Sequence, residues 1–393
     1  MYKKAYLKRG KDESLKRFHP WIFSGAIDHI DDGVEEGDVV QVFTEEGNFI
    51  AVGHYQIGSI TIRVLSFEDE KIDETFWKRR ISSALQQRIA IGIADTPNND
   101  TYRLIHGEGD LLPGLVVDCY GQTAVVQAHS VGMHRVRQQI AQVLVEVMKG
   151  RIAHVFYKSE TTLPYKAELG QENGFIYGES HDDTAMENGL RFHVDWTKGQ
   201  KTGFFIDQRE NRCLLEKYAK GRNVLNMFCY TGGFSFYAMR GGANLVHSVD
   251  SSAKAIELTK QNVALNFPDD DRHQAFCEDA FKFLDGIDNR YDLIILDPPA
   301  FAKHRKALHN AFKGYTRLNA KAFECIHKGG ILFTFSCSQV VTKDDFRNAV
   351  FTAAARAGRE VRILHQLHQP ADHPVNIYHP EGEYLKGLVL YVE

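Results

Sequence analysis

Leu293-Ile294-Ile295-Leu296-Asp297-Pro298-Pro299-Ala300-Phe301 is an apolar run that stops at an acid and two prolines. Four consecutive apolar residues without alternation suit a strand buried on both faces, as in a parallel sheet covered by helices. The prolines force a stiff, extended exit that lacks backbone donors, so Asp297 is expected to be held at a strand end. The plain alternative is an ordinary strand-ending loop. A second run, Gly329-Gly330-Ile331-Leu332-Phe333-Thr334-Phe335, ends in Ser336-Cys337-Ser338. In an open parallel sheet both ends share one rim, where a carboxylate and a thiol can meet over one ligand.

Working outward, strands and helices alternate from about residue 220: Val224 to Phe228, Leu245 to Asp250, Leu293 to Leu296, Ile331 to Phe335 and Leu388 to Val392. That alternation predicts an α/β fold, a parallel sheet with helices on both faces. After the first of these strands comes Cys229-Tyr230-Thr231-Gly232-Gly233-Phe234-Ser235, where glycines let backbone N–H groups approach a ligand. The pattern G-x-G-x-x-G is absent, which argues against NAD. Asp250 ends the next strand eighteen residues after Gly232, with Ser251-Ser252 as a helix start. A carboxylate there accepts hydrogen bonds from a ribose diol, although a tight turn with a capping acid has the same appearance. Asp279, in Cys277-Glu278-Asp279-Ala280, reads equally as a helix cap or a ligand contact. Turn, acid, acid and D-P-P in this order are more specific than any one alone.

The rest of the chain changes character twice. Up to about residue 72, Val39 to Phe43, Phe49 to Tyr55 and Ser59 to Leu65 read as strands of a small curved sheet or barrel. Between about 73 and 180, helices at Phe76 to Ile91 and Val136 to Met148 mix with strands at Leu115 to Asp118, Thr123 to Gln127, Ala153 to Tyr157 and Phe175 to Tyr177. The polar stretch Gly178 to Thr184 is the expected boundary, giving domains at 1–72, 73–180 and 181–393. At 393 residues, two or three domains accord with roughly 150 residues each.

Hydrophobic residues make up 43% and charged residues 25%, with no long apolar run, so no membrane span is expected. The charged start Met1-Tyr2-Lys3-Lys4 does not suit a signal peptide, which points to the cytoplasm. Six scattered cysteines lack zinc spacing, so neither disulfides nor metal are expected. With a formal net charge of −4, any nucleic-acid binding must use local patches. Lys3, Lys4, Lys8, Arg9, Lys11, Lys16 and Arg17 form one candidate patch, or a solvated face.

A thiolate is the effective nucleophile, so a site using Cys337 must favour ionisation, and Ser336 and Ser338 are candidates to assist by hydrogen bonding. Carbon 5 of a pyrimidine is a poor nucleophile until a thiolate adds at carbon 6. Asp297 would bind or protonate the ring nitrogen at position 3 as charge develops. The base that later removes the carbon-5 proton is not identified by the sequence.

These residues, with Phe18 to Ile27, Leu112 to Asp118, Lys201 to Arg209 and Glu383-Tyr384-Leu385-Lys386-Gly387, resemble the bacterial large-subunit ribosomal RNA cytosine-5 methyltransferase I family over nearly the whole chain. The resemblance implies an N-terminal β-rich PUA domain that binds RNA, a small central α+β domain and a C-terminal Rossmann-like class I methyltransferase. It implies S-adenosylmethionine as cofactor, ribosomal RNA as partner and allows a homodimer. For site residues it implies Cys337 and Asp297 as catalytic. The cofactor would be held by Asp207, Gln208, Arg209, Asn226, Tyr230, Thr231, Gly232, Asp250, Ser251, Asp279 and Asp297, with Asp250 at the ribose and Asp279 at the adenine. Pro299 and Ala300 follow Asp297-Pro298 where two-cysteine enzymes carry a second thiol, so all covalent chemistry falls on Cys337. Lys303, His304, Arg305 and Lys306 form either an RNA phosphate grip or a solvated loop. Two rivals stay open: an amino-group methyltransferase, which also uses D-P-P but with an aromatic residue directly after it, and an inactive RNA-binding or ribosome-assembly factor.

Overall fold

Short runs rich in β-branched residues build the first sheet: β1 (Lys3–Leu7), β2 (Trp21–Phe23), β3 (Ile27–Ile30), β4 (Val39–Phe43), β5 (Phe49–Tyr55) and β6 (Ile60–Ser66), in the order β2-β6-β5-β4-β1-β3. The computed structural model describes residues 2–164, 169 and 172–393. The lysine-rich start is itself a strand: Ala5 and Leu7 point into the core while Lys3 stays exposed. Within this sheet, among the described residues, only β1 and β4 pair in parallel. One short helix, α1 (Glu13–Lys16), adds Leu15 to a core of Ala5, Leu7, Ile22, Val40, Val42, Ala51, Ile62 and Val64.

The next segment starts with α2 (Glu74–Ala90), capped by the Asp73 carboxylate, which accepts from Thr75 N and Phe76 N. A five-stranded sheet follows, formed by β7 (Thr101–His106), β8 (Leu115–Tyr120), β9 (Thr123–Ala128), β10 (His154–Tyr157) and β11 (Gly174–Tyr177) in sequential order. The helix expected over Val136 to Met148 is α4 (Arg137–Met148), and a short helix not expected, α3 (Val131–Arg135), precedes it, the two parted at Val136, which leaves helical geometry. Trp77, Ile81, Leu85, Ile140 and Leu144 bury these helices against the sheet. Two short strands, β12 (Thr184–Glu187) and β13 (Leu190–His193), come next.

The remaining strands form a seven-stranded sheet in the order β16-β15-β14-β17-β18-β20-β19: β14 (Asn223–Met227), β15 (Leu245–Asp250), β16 (His273–Cys277), β17 (Leu293–Leu296), β18 (Gly330–Ser336), β19 (Val361–His368) and β20 (Lys386–Val392). The first five are parallel, joined through α6 (Gly233–Arg240), α7 (Ala253–Asn266), α8 (Ala280–Asp285) and α9 (Leu308–Cys325), with α5 (Arg209–Ala219) ahead of them and α10 (Lys343–Ala357) after β18. The expectation of a parallel sheet needs one correction. β20 runs antiparallel to both β18 and β19, because no crossover helix separates the last two strands. β17 is buried at every residue, as its unbroken apolar run requires.

The chain divides into two units by its contacts. One contains residues up to Gly189 with Val194–Ile206 and Ala371–Gly382; the other contains Leu190–His193, Asp207–Pro370 and Glu383–Glu393. The first unit thus takes in a segment from between β19 and β20. Asp372 there accepts from Arg103 N at 2.9 Å, and its carbonyl accepts from the fully buried Arg88, which also pairs with both oxygens of Asp110. Among the described residues no helix is long and apolar enough to cross a membrane.

Candidate active site

In the seven-stranded sheet the strand order reverses between β14 and β17, and the carboxyl ends of β14, β15, β17 and β18 share one rim. A crevice at such a switch point is where open α/β sheets bind ligands. The expected residues Asn226, Tyr230, Thr231, Gly232, Asp250, Ser251, Asp297 and Cys337 all lie on or just beyond these strand ends, and Asp279 follows β16.

The turn after β14 is shaped by backbone. Phe228, Tyr230 and Gly232 have φ of 58°, 48° and 85°, a run that non-glycine residues rarely adopt. A Cβ on Gly232 would come within 2.8 Å of Phe236 and Thr259, so the position needs glycine for space as well as angle. Asp250 pins the turn: Oδ2 accepts from Tyr230 N at 3.0 Å and Oδ1 from Ser252 N at 2.9 Å. Thr259 donates to Tyr230 O, and Asn262 to Thr231 O. Behind it Asn226 donates to Ser235, which continues through Ser248 to His273. Ser251 is exposed. Asp279 is exposed and caps α8, its Oδ1 accepting from Phe281 N and Lys282 N.

Asp297 is half-buried directly after β17. Gln208 Nε2 donates to its Oδ2 at 3.0 Å, and Asn211 donates to Gln208 Oε1, which fixes the amide that way round. Burial pushes the Asp297 carboxyl up to about 7, helped by the Asp207 charge and opposed by the Gln208 bond and the Arg212 cation. Asp207 accepts from Tyr384 OH at 2.8 Å through Oδ2. Arg209 and Arg212 are buried on α5.

Cys337 follows β18 and is half-buried. Leu296 pairs with Thr334, so Asp297 and Cys337 leave neighbouring parallel strands on the same side. The two loops are laced together by Ser338 Oγ, which donates to Ala302 O at 2.6 Å. The expectation that the flanking serines assist the thiol is corrected here. Ser336 donates to Tyr315 OH at 2.9 Å and Ser338 to Ala302, so both hydroxyl protons are committed elsewhere. Phe301 turns inward, its ring 4.7 Å from Tyr315 and against Gly314. Lys303, His304, Arg305 and Lys306 are exposed.

Three supports were not assigned from sequence. Tyr315, on α9, takes its place by helical packing more than twenty residues before Cys337. Tyr384 and Lys386 belong to a stretch, Glu383 to Gly387, whose only signal was its place in the family pattern. Lys386 donates to Ser338 O and Val341 O.

Comparisons with known proteins show the family and the fold. A family model described as S-adenosylmethionine-dependent methyltransferase matches residues 125–386, and one described as a PUA-like domain matches residues 5–67. A protein of Tolumonas auensis named ribosomal RNA large subunit methyltransferase I is 40% identical, over 98% of both chains. One of the same name from Alteromonas mediterranea is 39% identical over 100% of this chain and 99% of its own. The crystal structure of SMU.776 complexed with SAH superposes with a TM-score of 0.84 over 99% of both chains at 22% identity, so the fold is shared throughout. The residues present suit S-adenosylmethionine. Asp207 Oδ1, Asn226 Oδ1 and Thr231 Oγ1 are buried polar atoms with no hydrogen-bond partner among the described residues, as a polar ligand on this rim would require.

Proposed function

As the chain belongs to the ribosomal RNA large subunit methyltransferase I family, whose members are S-adenosylmethionine-dependent methyltransferases, we propose that it methylates carbon 5 of a cytosine in large-subunit ribosomal RNA. The observation that carries the carbon-5 reading is Cys337 beside Asp297 at adjacent parallel strand ends, their loops joined through Ser338 and Ala302.

The Cys337 thiolate adds to carbon 6, forming an S–C bond as the electron pair of the 5,6 double bond moves toward carbon 5 and the ring. Asp297, with a pKa near neutrality, gives its proton to ring nitrogen 3 and so removes the charge that would otherwise build there. The bound cofactor supplies an electrophilic methyl group. Carbon 5 takes that methyl as the methyl–sulfur bond breaks and its electron pair stays on sulfur; loss of the carbon-5 proton to a base then re-forms the 5,6 double bond and expels Cys337 as thiolate, while nitrogen 3 returns its proton to Asp297. Extrusion of the base from its stack exposes carbon 6 to the thiol.

For the cofactor, Asp250 would accept from the ribose diol with the lone pairs not used by Tyr230 N and Ser252 N, and Ser251 adjoins it. Asp279 Oδ2, which takes no part in the helix cap, would accept from the adenine amino group. Asn226, Tyr230, Thr231 and Gly232 would line the ligand, and Asp207, Gln208 and Arg209 would cover it. The PUA-like domain and the exposed basic loop Lys303 to Lys306 would grip RNA phosphates, with affinity falling as salt rises.

An amino-group methyltransferase fits less well. Phe301 is packed on Tyr315, away from any stacking role, and Cys337 would have none. The test is a map of 5-methylcytosine in large-subunit ribosomal RNA from cells with the gene, without it, and with Cys337→Ala. One cytosine should lose its mark in both altered strains. An unchanged map without the gene would overturn the assignment, and full marking by Cys337→Ala would overturn the covalent route.

A further inference from the structure

Lys386 supports the Cys337 loop and carries a charge, yet it is almost completely buried, at 5% exposure. Antiparallel pairing sets it directly across from Ser336, the residue before the thiol. Its ammonium donates to Ser338 O at 2.5 Å and to Val341 O at 2.7 Å, so the chain leaving Cys337 wraps round the cation. Among the described residues no carboxylate forms an ion pair with it; Glu383, three residues earlier, pairs instead with Lys343. A buried cation whose direct contacts are carbonyl dipoles has no counter-charge in contact, and such an arrangement is costly unless one is supplied nearby.

We propose that Lys386 is the positioning residue that holds Cys337 as a thiolate, clamping its loop through two carbonyls and supplying the cation that the sulfur anion faces. Four neighbouring groups do not serve. Tyr315 is neutral, pushed up to about 12 by burial; Asp297 carries the wrong sign; Lys343 is exposed and engaged; Asp345 is held in the α10 capping box with Thr342. Burial lowers the Lys386 ammonium to about 8, and the Cys337 negative charge is the largest influence opposing that fall. Attraction of this kind is reciprocal, so the same cation favours ionisation of the thiol.

The inference rests on Cys337 as nucleophile but is tested without RNA or cofactor, so its failure is separable from failure of the methylation reading. In the full-length protein, iodoacetamide labelling of Cys337 is followed against pH by peptide mass spectrometry, which separates it from the exposed Cys277. Lys386→Gln keeps a donor for the carbonyls and removes the charge. It should raise the apparent pKa of labelling by about one unit, so that the rate at pH 7 falls about tenfold while the plateau at high pH is kept. Lys386→Arg should restore the wild-type profile. A lowered plateau with an unshifted midpoint would mean a purely structural clamp and overturn the proposal. Should Lys386→Gln fail to fold, the reciprocal measurement uses Cys337→Ala: Lys386 should then be acetylated faster by acetic anhydride at pH 7, and an unchanged rate would overturn the proposal.

Discussion

The turn after β14 and the segment after β18 stand on the same rim but are built by opposite means. Residues 228–232 take their form from the backbone, with three left-handed residues, one of them a glycine that leaves no room for a Cβ. Residues 336–341 have ordinary backbone angles and are held by side chains and carbonyls from elsewhere: Tyr315 from α9, Ala302 beyond the prolines, Lys386 from β20. A ligand cradle that must present N–H groups needs its shape written into local conformation. A nucleophile needs a controlled environment, which only distant elements can supply.

The comparison can be broken at three points. The largest effect is expected at Asp297, between the two regions. Asp297→Asn should slow methyl transfer at least about a hundredfold in a single-turnover assay, since it cannot deliver the proton. Its stability should move the other way. Because folding raises this carboxyl above the ordinary 3.8, the charged form is disfavoured in the folded protein. That penalty is absent below the ordinary value, grows as pH rises and is complete above about 7. Melting curves should therefore show Asp297→Asn gaining on the wild type from pH 4 to pH 7 and holding a constant margin beyond; a margin independent of pH would refute the raised pKa.

Next comes Gly232→Ala, which forces a Cβ into Phe236 and Thr259 at φ 85°. A strain of about 1–3 kcal/mol in the cradle should weaken S-adenosylmethionine binding about tenfold by calorimetry, and leave labelling of Cys337 as it was. Smallest is Ser338→Ala, which removes the bond to Ala302 O and leaves that carbonyl unpaired. It should cost about 1 kcal/mol in a denaturant titration and slow transfer a few-fold without changing cofactor affinity. Loss of cofactor binding in this variant would show that the two regions are not independently built.

The same contrast decides what could be read from the residues alone. The parallel strands were legible because β17 is an unbroken apolar run and β18 one interrupted only by Thr334, and the turn because its glycines and following acids stand in order along the chain. β19 was not foreseen, since Arg362, His365, Gln366 and His368 make it polar; it is an edge strand with every residue exposed or half-buried. β1 was read as part of a basic patch because it opens on Lys3-Lys4 within a lysine-rich start, and only Ala5, Tyr6 and Leu7 remain to signal a strand. At the site Asp297 and Cys337 announced themselves by motif, whereas Tyr315 and Lys386 matter only through where packing puts them. The serines flanking the thiol misled for the same reason: adjacency in sequence said nothing of which acceptor each hydroxyl would find.

The segment Ala371–Gly382 has a practical meaning for anyone who wishes to cut this protein into parts. A fragment ending near residue 206 would carry all three early β-regions yet lack Asp372, leaving Arg103 N without its carboxylate and the buried Arg88 short of a carbonyl. The first unit is therefore not a module that can be excised at a single bond or grafted onto another enzyme by simple fusion. Exchange between relatives would have to move residues 371–382 together with the N-terminal half, as one inheritance.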